Sequence, residues 1–400
     1  MAFHRNAGWL AGVAGLAIAT AAAVQPVTAA PAQTLGYAVT YFWYDFHESN
    51  EDCPDGFTPG RREFLLLGLP EREQARLKRP ENREEFEKVV VQLAKKAGFS
   101  IGSSRNGNCQ NPENYIGTDP LPMKTVTGPH AFGMDLDGGS KGATCPHAEF
   151  TTPAGARGID NQLYRVIGCM AGYRRDSGWG AGTVEDYAQG TRRDGQMAIL
   201  IEVTGVDDRQ NDPDVDVGIY SSPDPTSFYK DTGPDGGGGL PYTSMTVTEQ
   251  PRYQNRVKGR IENGVLITDT VDLRLKFAWA TMLTEYWIRD ARLRLPLTPV
   301  DARSEMVEGQ LGGYYDLRAF WSTFMGNTTG AMEGSCPSVW EKLHEMADGF
   351  PDPANGQCTA LSTAFKVRAV PAFVVHPEEA RGSAAAAPRQ TAGIGAEAQK

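Results

Sequence analysis

Apolar residues at every second position are the strongest pattern in this chain. Leu273, Leu275 and Phe277 alternate with charged residues, and a strand with one apolar and one charged face is typical of antiparallel sheets. The same period of two predicts further strands at 34–44, 199–203, 215–219, 291–295 and 361–370. We therefore predict a mainly β protein, α+β overall, whose core is an antiparallel β-sandwich or jelly-roll.

Turn and helix signals complete the predicted architecture. Asn263-Gly264 between apolar flanks is the signature of a two-residue hairpin with a type I′ turn. Residues 82–97 place their apolar side chains on one helical face, and a second helix begins at Pro337 and ends before Gly349. We expect these helices to be insertions near the two ends of the chain, on either side of the β core.

The two ends of the chain have the composition of unfolded or cleaved segments. An uncharged apolar run from Trp9 to Val24 precedes an A-x-A cleavage pattern at 30–32. This run is shorter than the roughly 20 residues that span a bilayer, so we expect a Sec-type signal peptide and no transmembrane span in the mature chain. From His376 onward the chain is rich in Ala, Gly and Pro, which predicts a disordered tail. The protein is expected to be periplasmic or secreted, from a bacterium.

The segment between the two ends is long enough for one large domain. The predicted division is a signal peptide at 1–32, a single β-rich domain at 33–375 and a tail at 376–400. Within the domain we expect a helical or irregular part at 33–130, the β core at 131–313 and a helical part at 314–375.

The charge balance is moderately acidic, with 39 Lys and Arg against 49 Asp and Glu. Nucleic acids and anionic membrane surfaces bind basic faces. We therefore expect no nucleic-acid partner, and the oligomeric state is left open.

Six cysteines are present: Cys53, Cys109, Cys145, Cys169, Cys336 and Cys358. An even number in an exported chain indicates disulfides, and the spacings of zinc and c-type haem sites are absent. Their order along the chain suggests three local pairs, Cys53–Cys109, Cys145–Cys169 and Cys336–Cys358, although other connectivities stay open.

Residues 130–169 concentrate side chains that bind a cation or a sugar. The candidate ligand-binding residues are Asp135, Asp137, His147, Asp160, Asn161 and Gln162. Short oxygen-bearing side chains around glycine turns are the ligands that Ca²⁺ prefers, so we assign Asp135, Asp137 and Asp160 to an optional Ca²⁺ ion. No motif requires a cofactor. The alternative is structural, since the same residue types end strands and cap helices.

A second acidic segment is a weaker candidate for Ca²⁺, with Asp207, Asp208, Asn211 and Asp212 as ligands. The residues from Asp212 onward look like the start of an EF-hand loop. The match fails because the glycine falls one position late and Pro223 stands where the last carboxylate belongs. A solvated hairpin turn is the alternative that we favour.

The motifs of common enzymes are absent, including G-x-S-x-G, H-E-x-x-H, the Walker loop and a dinucleotide fingerprint after a strand. His47, beside Asp45 and Glu48, is a candidate general base oriented by a carboxylate. An ordinary surface histidine is the alternative. The sequence leaves open whether the protein is an enzyme.

Several segments together resemble a set of uncharacterised exported bacterial proteins. They are the cysteine-containing N-terminal part, the D-L-D-G run at 135–138, the G-I-D-N-Q run at 158–162 with Gly168-Cys169, and the segments beginning at Ile201, Arg289 and Gly312. The set has no established activity, so the resemblance implies no mechanism. It implies that these segments form one structural unit.

Three classes of function follow from these observations. The first is a ligand-binding or envelope-associated protein, with optional Ca²⁺ and with a glycan or another small molecule as its partner. The second is a hydrolase of a polysaccharide or ester, whose mark is a pair of carboxylates in a groove, or His147 beside a carboxylate. The third is a structural protein whose Asp and Asn residues only end turns.

Overall fold

Most of the alternating segments form strands in the computed structural model, which describes residues 32–58, 65–96, 113, 123–139, 145–176, 182–229, 238–279, 282–327 and 336–378. The strands are β1 (Gln33–Tyr44), β2 (Phe150–Thr151), β3 (Arg157–Ile159), β4 (Ala198–Val206), β5 (Asp212–Ser222), β6 (Thr243–Thr246), β7 (Gln254–Glu262), β8 (Val265–Thr268), β9 (Val271–Trp279), β10 (Met282–Pro296), β11 (Val307–Asp316), β12 (Gly349–Pro351) and β13 (Cys358–Val375). The helices are α1 (Glu71–Leu77), α2 (Arg83–Lys96), α3 (Gln162–Ile167), α4 (Thr183–Arg193), α5 (Leu317–Asn327) and α6 (Cys336–Glu345). Short 3₁₀ turns cover Pro80–Asn82, Ala171–Tyr173 and Pro251–Tyr253.

Some predicted features lie outside the described residues, namely positions 1–31 of the signal peptide, Cys109 and positions 379–400 of the tail. The described residues all belong to one unit of the fold, Ala32–Lys400. None of the helices among them is long and apolar enough to cross a membrane. His376, the first residue of the predicted tail, hydrogen-bonds Glu202 at 2.9 Å.

Eight strands close into an antiparallel β-barrel, in the order β1-β4-β5-β7-β8-β10-β11-β13 and back to β1. The predicted sandwich or jelly-roll core is therefore wrong. Closure depends on β1 and β13, which pair from Tyr37 opposite Pro371 to Tyr44 opposite Phe365. Strands of barrels and of sandwiches both have one inward and one outward face, so the alternation does not distinguish the two architectures.

Three further strands extend the barrel wall. β9 pairs with the first half of β10, β12 pairs with the start of β13, and β6 runs parallel to the end of β13. The predicted β core at 131–313 leaves out β1 and β13, although both are walls of the barrel. The helical insertions are short and lie between the strands.

Aromatic side chains join four walls of the barrel. Phe365 of β13 is fully buried and stacks on Phe42 of β1, with ring centroids 4.5 Å apart. Tyr286 of β10 and Tyr315 of β11 contact the same ring, with centroids at 5.7 and 6.4 Å. Such ring pairs add about 0.5–1.5 kcal/mol beyond the burial of their area. Phe365 is therefore central to the stability of the closed barrel.

Local sequence signals are confirmed where one turn or one face decides the structure. Asn263 and Gly264 join β7 to β8 with φ angles of +51° and +75°, as a type I′ turn requires. Helix α2 matches the helix predicted at 82–97 to within one residue at each end.

The disulfides differ from the predicted local pairs. Cys53 bonds to Cys169, and Cys145 bonds to Cys358. Cys336 is also disulfide-bonded. All three predicted pairs are therefore wrong, because the tertiary fold brings Cys358, at the start of β13, beside a segment far from it in sequence.

We predict that Phe365→Ala lowers the free energy of unfolding by about 3–5 kcal/mol, because it opens a cavity among the interior rings. Phe373→Ala is the matched control on the same strand, since Phe373 is 57% exposed, and it should cost less than about 0.5 kcal/mol. Urea unfolding followed by tryptophan fluorescence measures both changes. Equal losses would mean that Phe365 does not lie in the barrel interior.

Candidate functional site

The chain leaves the barrel after β1 and returns to it at β4, and the described residues between 45 and 197 are here called the excursion. The disulfide from Cys145 to Cys358 attaches the excursion to the start of β13. Nearby, the backbone amide of Gln162 donates to the hydroxyl oxygen of Ser362 at 2.9 Å. These contacts fix the excursion against one wall of the barrel, and most of the predicted site residues lie there.

Asp160 is the buried centre of this region. It lies between β3 and α3, and its backbone amide donates to the carbonyl of Met134 at 2.9 Å. Its Oδ2 accepts from the amide of Leu136 at 2.7 Å. Gly133 permits this close approach, because a Cβ atom there would lie 2.9 Å from the Asp160 carbonyl oxygen. The remaining oxygen, Oδ1, lies 2.8 Å from Nε2 of His147.

His147 is held through both of its ring nitrogens. Nδ1 donates to the carbonyl of Cys145 at 3.1 Å, and Nε2 donates to Asp160. The side chain is 4% exposed. The hydrogen bond to Asp160 raises the pKa of His147 to about 9, with a further rise from the charge of Asp348, and burial opposes both. Two acceptors on opposite sides of the ring favour the charged imidazolium when no ligand is bound.

Asp348 adds a carboxylate oxygen that has no hydrogen-bond partner. Its Oδ1 accepts from the amide of Ser362 at 2.6 Å, whereas Oδ2 is buried without a hydrogen bond. That second oxygen lies 3.8 Å from Nε2 of His147. Burial raises the pKa of Asp348 to about 6, although the bonds from Ser362 and the charge of His147 lower it. An unsatisfied buried polar group costs about 1–3 kcal/mol, so this oxygen requires an explanation.

Asp137 lies on the solvent-exposed side of His147 and Asp160. Its side chain is exposed, and Oδ1 accepts from the amide of Gly139 at 2.7 Å. One carboxylate oxygen of Asp137 lies within 4.8 Å of the ligand atoms of both His147 and Asp160. We call the four residues His147, Asp160, Asp348 and Asp137 the His147 cluster.

Tyr314 of β11 forms an apolar wall beside the cluster. Burial raises the pKa of this tyrosine, and the charge of Asp348 is the next cause. Gly349 lets the ring pack closely, since a Cβ atom there would lie 2.4 Å from Cδ1 of Tyr314. Phe350 follows with a φ of +56°, which is strained for a residue with a side chain. The backbone after Asp348 is thus held in an uncommon conformation beside the cluster.

The ligand atoms of Asp137, His147 and Asp160 lie within 4.8 Å of one another, and Asp348 adds a third carboxylate beside His147. Donor atoms that bind one ion at about 2.0–2.2 Å lie roughly 3–4 Å from one another. The separations of 2.8 and 3.8 Å from Nε2 of His147 to the two buried carboxylates are close to this range. The arrangement is therefore suited to a divalent cation, and without one the imidazolium lies between two carboxylates.

Three of the predicted ligand-binding residues are engaged with the chain itself. Asp135 is exposed, and its Oδ1 accepts from the amide of Gly138 at 2.7 Å. Asn161 caps α3, and both Asn161 and Gln162 donate to backbone carbonyls of the excursion. Their contact with a ligand stays a prediction, and the His147 cluster does not include them.

The weaker acidic segment forms the turn between β4 and β5. Asp212 accepts hydrogen bonds from backbone amides that include that of Asp207, at 2.7 Å, and these bonds lower its pKa. Asp208 accepts from a backbone amide two residues ahead, and Asn211 accepts from the amide of Asn263. These oxygens stabilise the turn, which is the structural interpretation that we favour. Ca²⁺ binding there stays a prediction.

Sequence analysis missed Asp348, which contributes the unpaired oxygen. The residue follows α6 and precedes Gly349, and Gly349 was interpreted only as the end of a helix. No local pattern marks Asp348. Its position opposite Ala360 on β13 brings it to the cluster.

We predict that His147 makes the ligand-free protein less stable as the pH rises. The pKa is about 9 in the folded state against 6.5 when unperturbed, so the stabilisation is complete below pH 6.5 and is lost as the pH rises through about 9. In EDTA, the wild type should exceed His147→Gln by about 2–3 kcal/mol at pH 6 and by much less at pH 9.5. Urea unfolding measures this difference.

The control for this pH series is His344→Gln, which removes an exposed histidine. Its difference from the wild type should stay flat over the same pH range. A flat difference for His147→Gln as well would contradict the raised pKa.

We compared the chain with models of protein families, with curated proteins and with solved structures, and none of them matches it. The function must therefore be argued from the chemistry of the site.

Proposed function

We propose that this protein is an exported metal-binding protein that holds one divalent transition-metal ion in the His147 cluster. The ligands are Nε2 of His147 and carboxylate oxygens of Asp160, Asp348 and Asp137. With the ion bound, Nε2 carries no proton and the imidazole is neutral. The ion connects the excursion, which supplies three ligands, to the barrel wall, where Asp348 lies beside β13.

The observation that carries this function is the unpaired Oδ2 of Asp348. It is buried and lies only 3.8 Å from a histidine nitrogen. A buried carboxylate that only ended a turn would use both oxygens on backbone amides, as the buried Asp212 does. A bound cation satisfies the free oxygen and offsets the negative charge of the three carboxylates.

The donor set favours one kind of ion. Ca²⁺ binds six to eight oxygen ligands, whereas imidazole suits Zn²⁺, Fe²⁺, Ni²⁺ and Cu²⁺. The hydrogen bond from Nδ1 of His147 to the Cys145 carbonyl is the outer-shell contact that orients metal-bound histidines. Because Cys145 is disulfide-bonded to Cys358, this contact is fixed to the barrel.

Burial favours binding over hydrolysis as the role of the cluster. His147 lies beside a carboxylate, which was the expected mark of a hydrolase, but the side chains of His147 and Asp160 are 4% and 0% exposed. Side chains this buried are poorly placed to contact a polysaccharide. Asp137 is exposed, so the ion itself is reached from solvent on one side.

Export is supported by two independent features. The start of the chain has the apolar run and the A-x-A pattern of a signal peptide. Two disulfides, Cys53–Cys169 and Cys145–Cys358, connect distant segments, and such bonds persist in oxidising compartments outside the cytosol.

We predict that Asp348→Asn weakens metal binding without unfolding the protein. The amide carries no charge and is a poor ligand, so metal affinity should fall by tenfold or more, about the loss seen when metal-site partners are removed. Metal content is measured by mass spectrometry after incubation with Zn²⁺ or Mn²⁺ and desalting. In EDTA the variant should be about as stable as the wild type, because Asp160 still compensates the His147 imidazolium after the charge of Asp348 is removed.

The matched control is Asp216→Asn, which removes an exposed carboxylate that contacts Lys258. It should keep the metal content of the wild type. A wild-type protein that retains no ion, or an equal loss in both variants, would refute the site.

We predict that Zn²⁺ stabilises the protein more than Ca²⁺ does at equal excess over EDTA. An ion at 100 times its dissociation constant adds about 2.7 kcal/mol to the free energy of unfolding. Thermal unfolding should show a rise of several degrees with Zn²⁺, and His147→Gln should remove most of the advantage over Ca²⁺. A larger rise with Ca²⁺ would support an all-oxygen site instead.

A further inference from the structure

His47 lies outside the His147 cluster, and a buried carboxylate orients its ring. Its Nδ1 lies 3.3 and 3.5 Å from the two carboxylate oxygens of Asp52. The side chain of Asp52 is only 2% exposed. Its Oδ2 also accepts from the amide of Ser49 at 2.7 Å and from the hydroxyl of Tyr164 at 2.5 Å. The carboxylate that orients His47 is thus buried and fixed from several sides, although its histidine reaches the surface.

His130 lies close to His47, and its ring is also held through Nδ1. Its Nδ1 donates to the backbone carbonyl of Thr151 at 3.2 Å. The rings of His47 and His130 have centroids 5.8 Å apart and planes inclined by 60°. Within the described part of the chain, Nε2 of neither ring has a hydrogen-bond partner. Two imidazoles therefore share a partly exposed location, each with one nitrogen fixed and the other available.

The ring-centroid separation of 5.8 Å is compatible with two histidines on one ion. Metal–nitrogen bonds of about 2.0–2.1 Å place the ring centroids roughly 5–6 Å apart when the angle at the ion is roughly 100–130°. Histidine ligands almost always donate their other ring N–H to a carboxylate, a carbonyl or water. His47 has the carboxylate and His130 has the carbonyl. A general base oriented by Asp52 would explain the first histidine but not the second.

We propose that His47 and His130 form a second metal site, which binds Cu²⁺ or Zn²⁺ through Nε2 of both rings. Water completes the coordination, so the ion is open to exchange with solvent ligands. Asp52 is a positioning residue that fixes the ring of His47. The site shares no ligand with the His147 cluster and does not depend on the function proposed for that cluster.

Cu²⁺ is the sharpest probe, because nitrogen donors favour it over the other divalent first-row ions. The titration uses the His147→Gln protein, so that the imidazole of the other site is absent. Electron paramagnetic resonance should show about one bound Cu²⁺ with two nitrogen ligands. Introducing either His47→Gln or His130→Gln should weaken binding by more than about 100-fold, beyond the 10–100-fold loss typical of outer-shell changes.

Two further variants make the test specific. His344→Gln removes an exposed histidine whose Nδ1 also bonds a backbone carbonyl, that of Trp340, and it should leave Cu²⁺ binding unchanged. Asp52→Asn should weaken binding about 10–100-fold and alter the nitrogen signature, which a purely structural role would not do. Unchanged binding in His47→Gln or His130→Gln, or an equal loss in His344→Gln, would overturn the site.

A measurement on the wild-type protein tests the same site and does not depend on the folding of a variant. Diethyl pyrocarbonate modifies accessible histidines, and peptide mass spectrometry identifies the modified positions in the disulfide-bonded protein. Saturating Zn²⁺ should protect His47 and His130 together while His344 is modified at its usual rate. Modification of His47 and His130 at equal rates with and without the ion would refute the proposal.

Discussion

The pairing of β1 with β13 is the constraint on which the rest of the molecule depends. It joins the first and last strands of the barrel through antiparallel partners from Tyr37–Pro371 to Tyr44–Phe365. Closure leaves no free edge in the eight-stranded ring and buries aromatic rings from three other walls against Phe365 of β13. It also makes β13 a fixed surface against which the excursion can pack.

Three residues of the His147 cluster lie in the excursion, and the fourth, Asp348, lies beside β13. Binding residues are commonly carried by long connections that a rigid scaffold positions. Here β13 supplies the scaffold through Cys358, which bonds to Cys145, and through Ser362, which contacts both Gln162 and Asp348. Contacts with β13 therefore fix the position of His147, which lies in the excursion.

The two histidine sites are built on the same principle. In each, Nδ1 is directed to an oxygen acceptor, so that the ring is held in one orientation. They differ in burial, because the side chain of His147 is 4% exposed and that of His47 is 18% exposed. In the function that we propose, a buried ion at the His147 cluster would strengthen the attachment of the excursion to the barrel. An ion at the proposed His47–His130 site would be open to solvent ligands.

The sequence by itself determined the features that depend on neighbouring residues. The period of two fixed β1, β9 and β13 as strands, Asn263-Gly264 fixed a hairpin, and the apolar face at 82–97 fixed a helix. The sequence also predicted Asp137, His147 and Asp160 as site residues, and the structure brings the three together. Only the tertiary structure decided that the sheet closes, that Cys145 bonds to Cys358, and that Asp348 completes the cluster. The reason is physical: alternation reports which face of a strand is buried, whereas barrel closure and disulfide pairing depend on contacts between segments far apart in the chain.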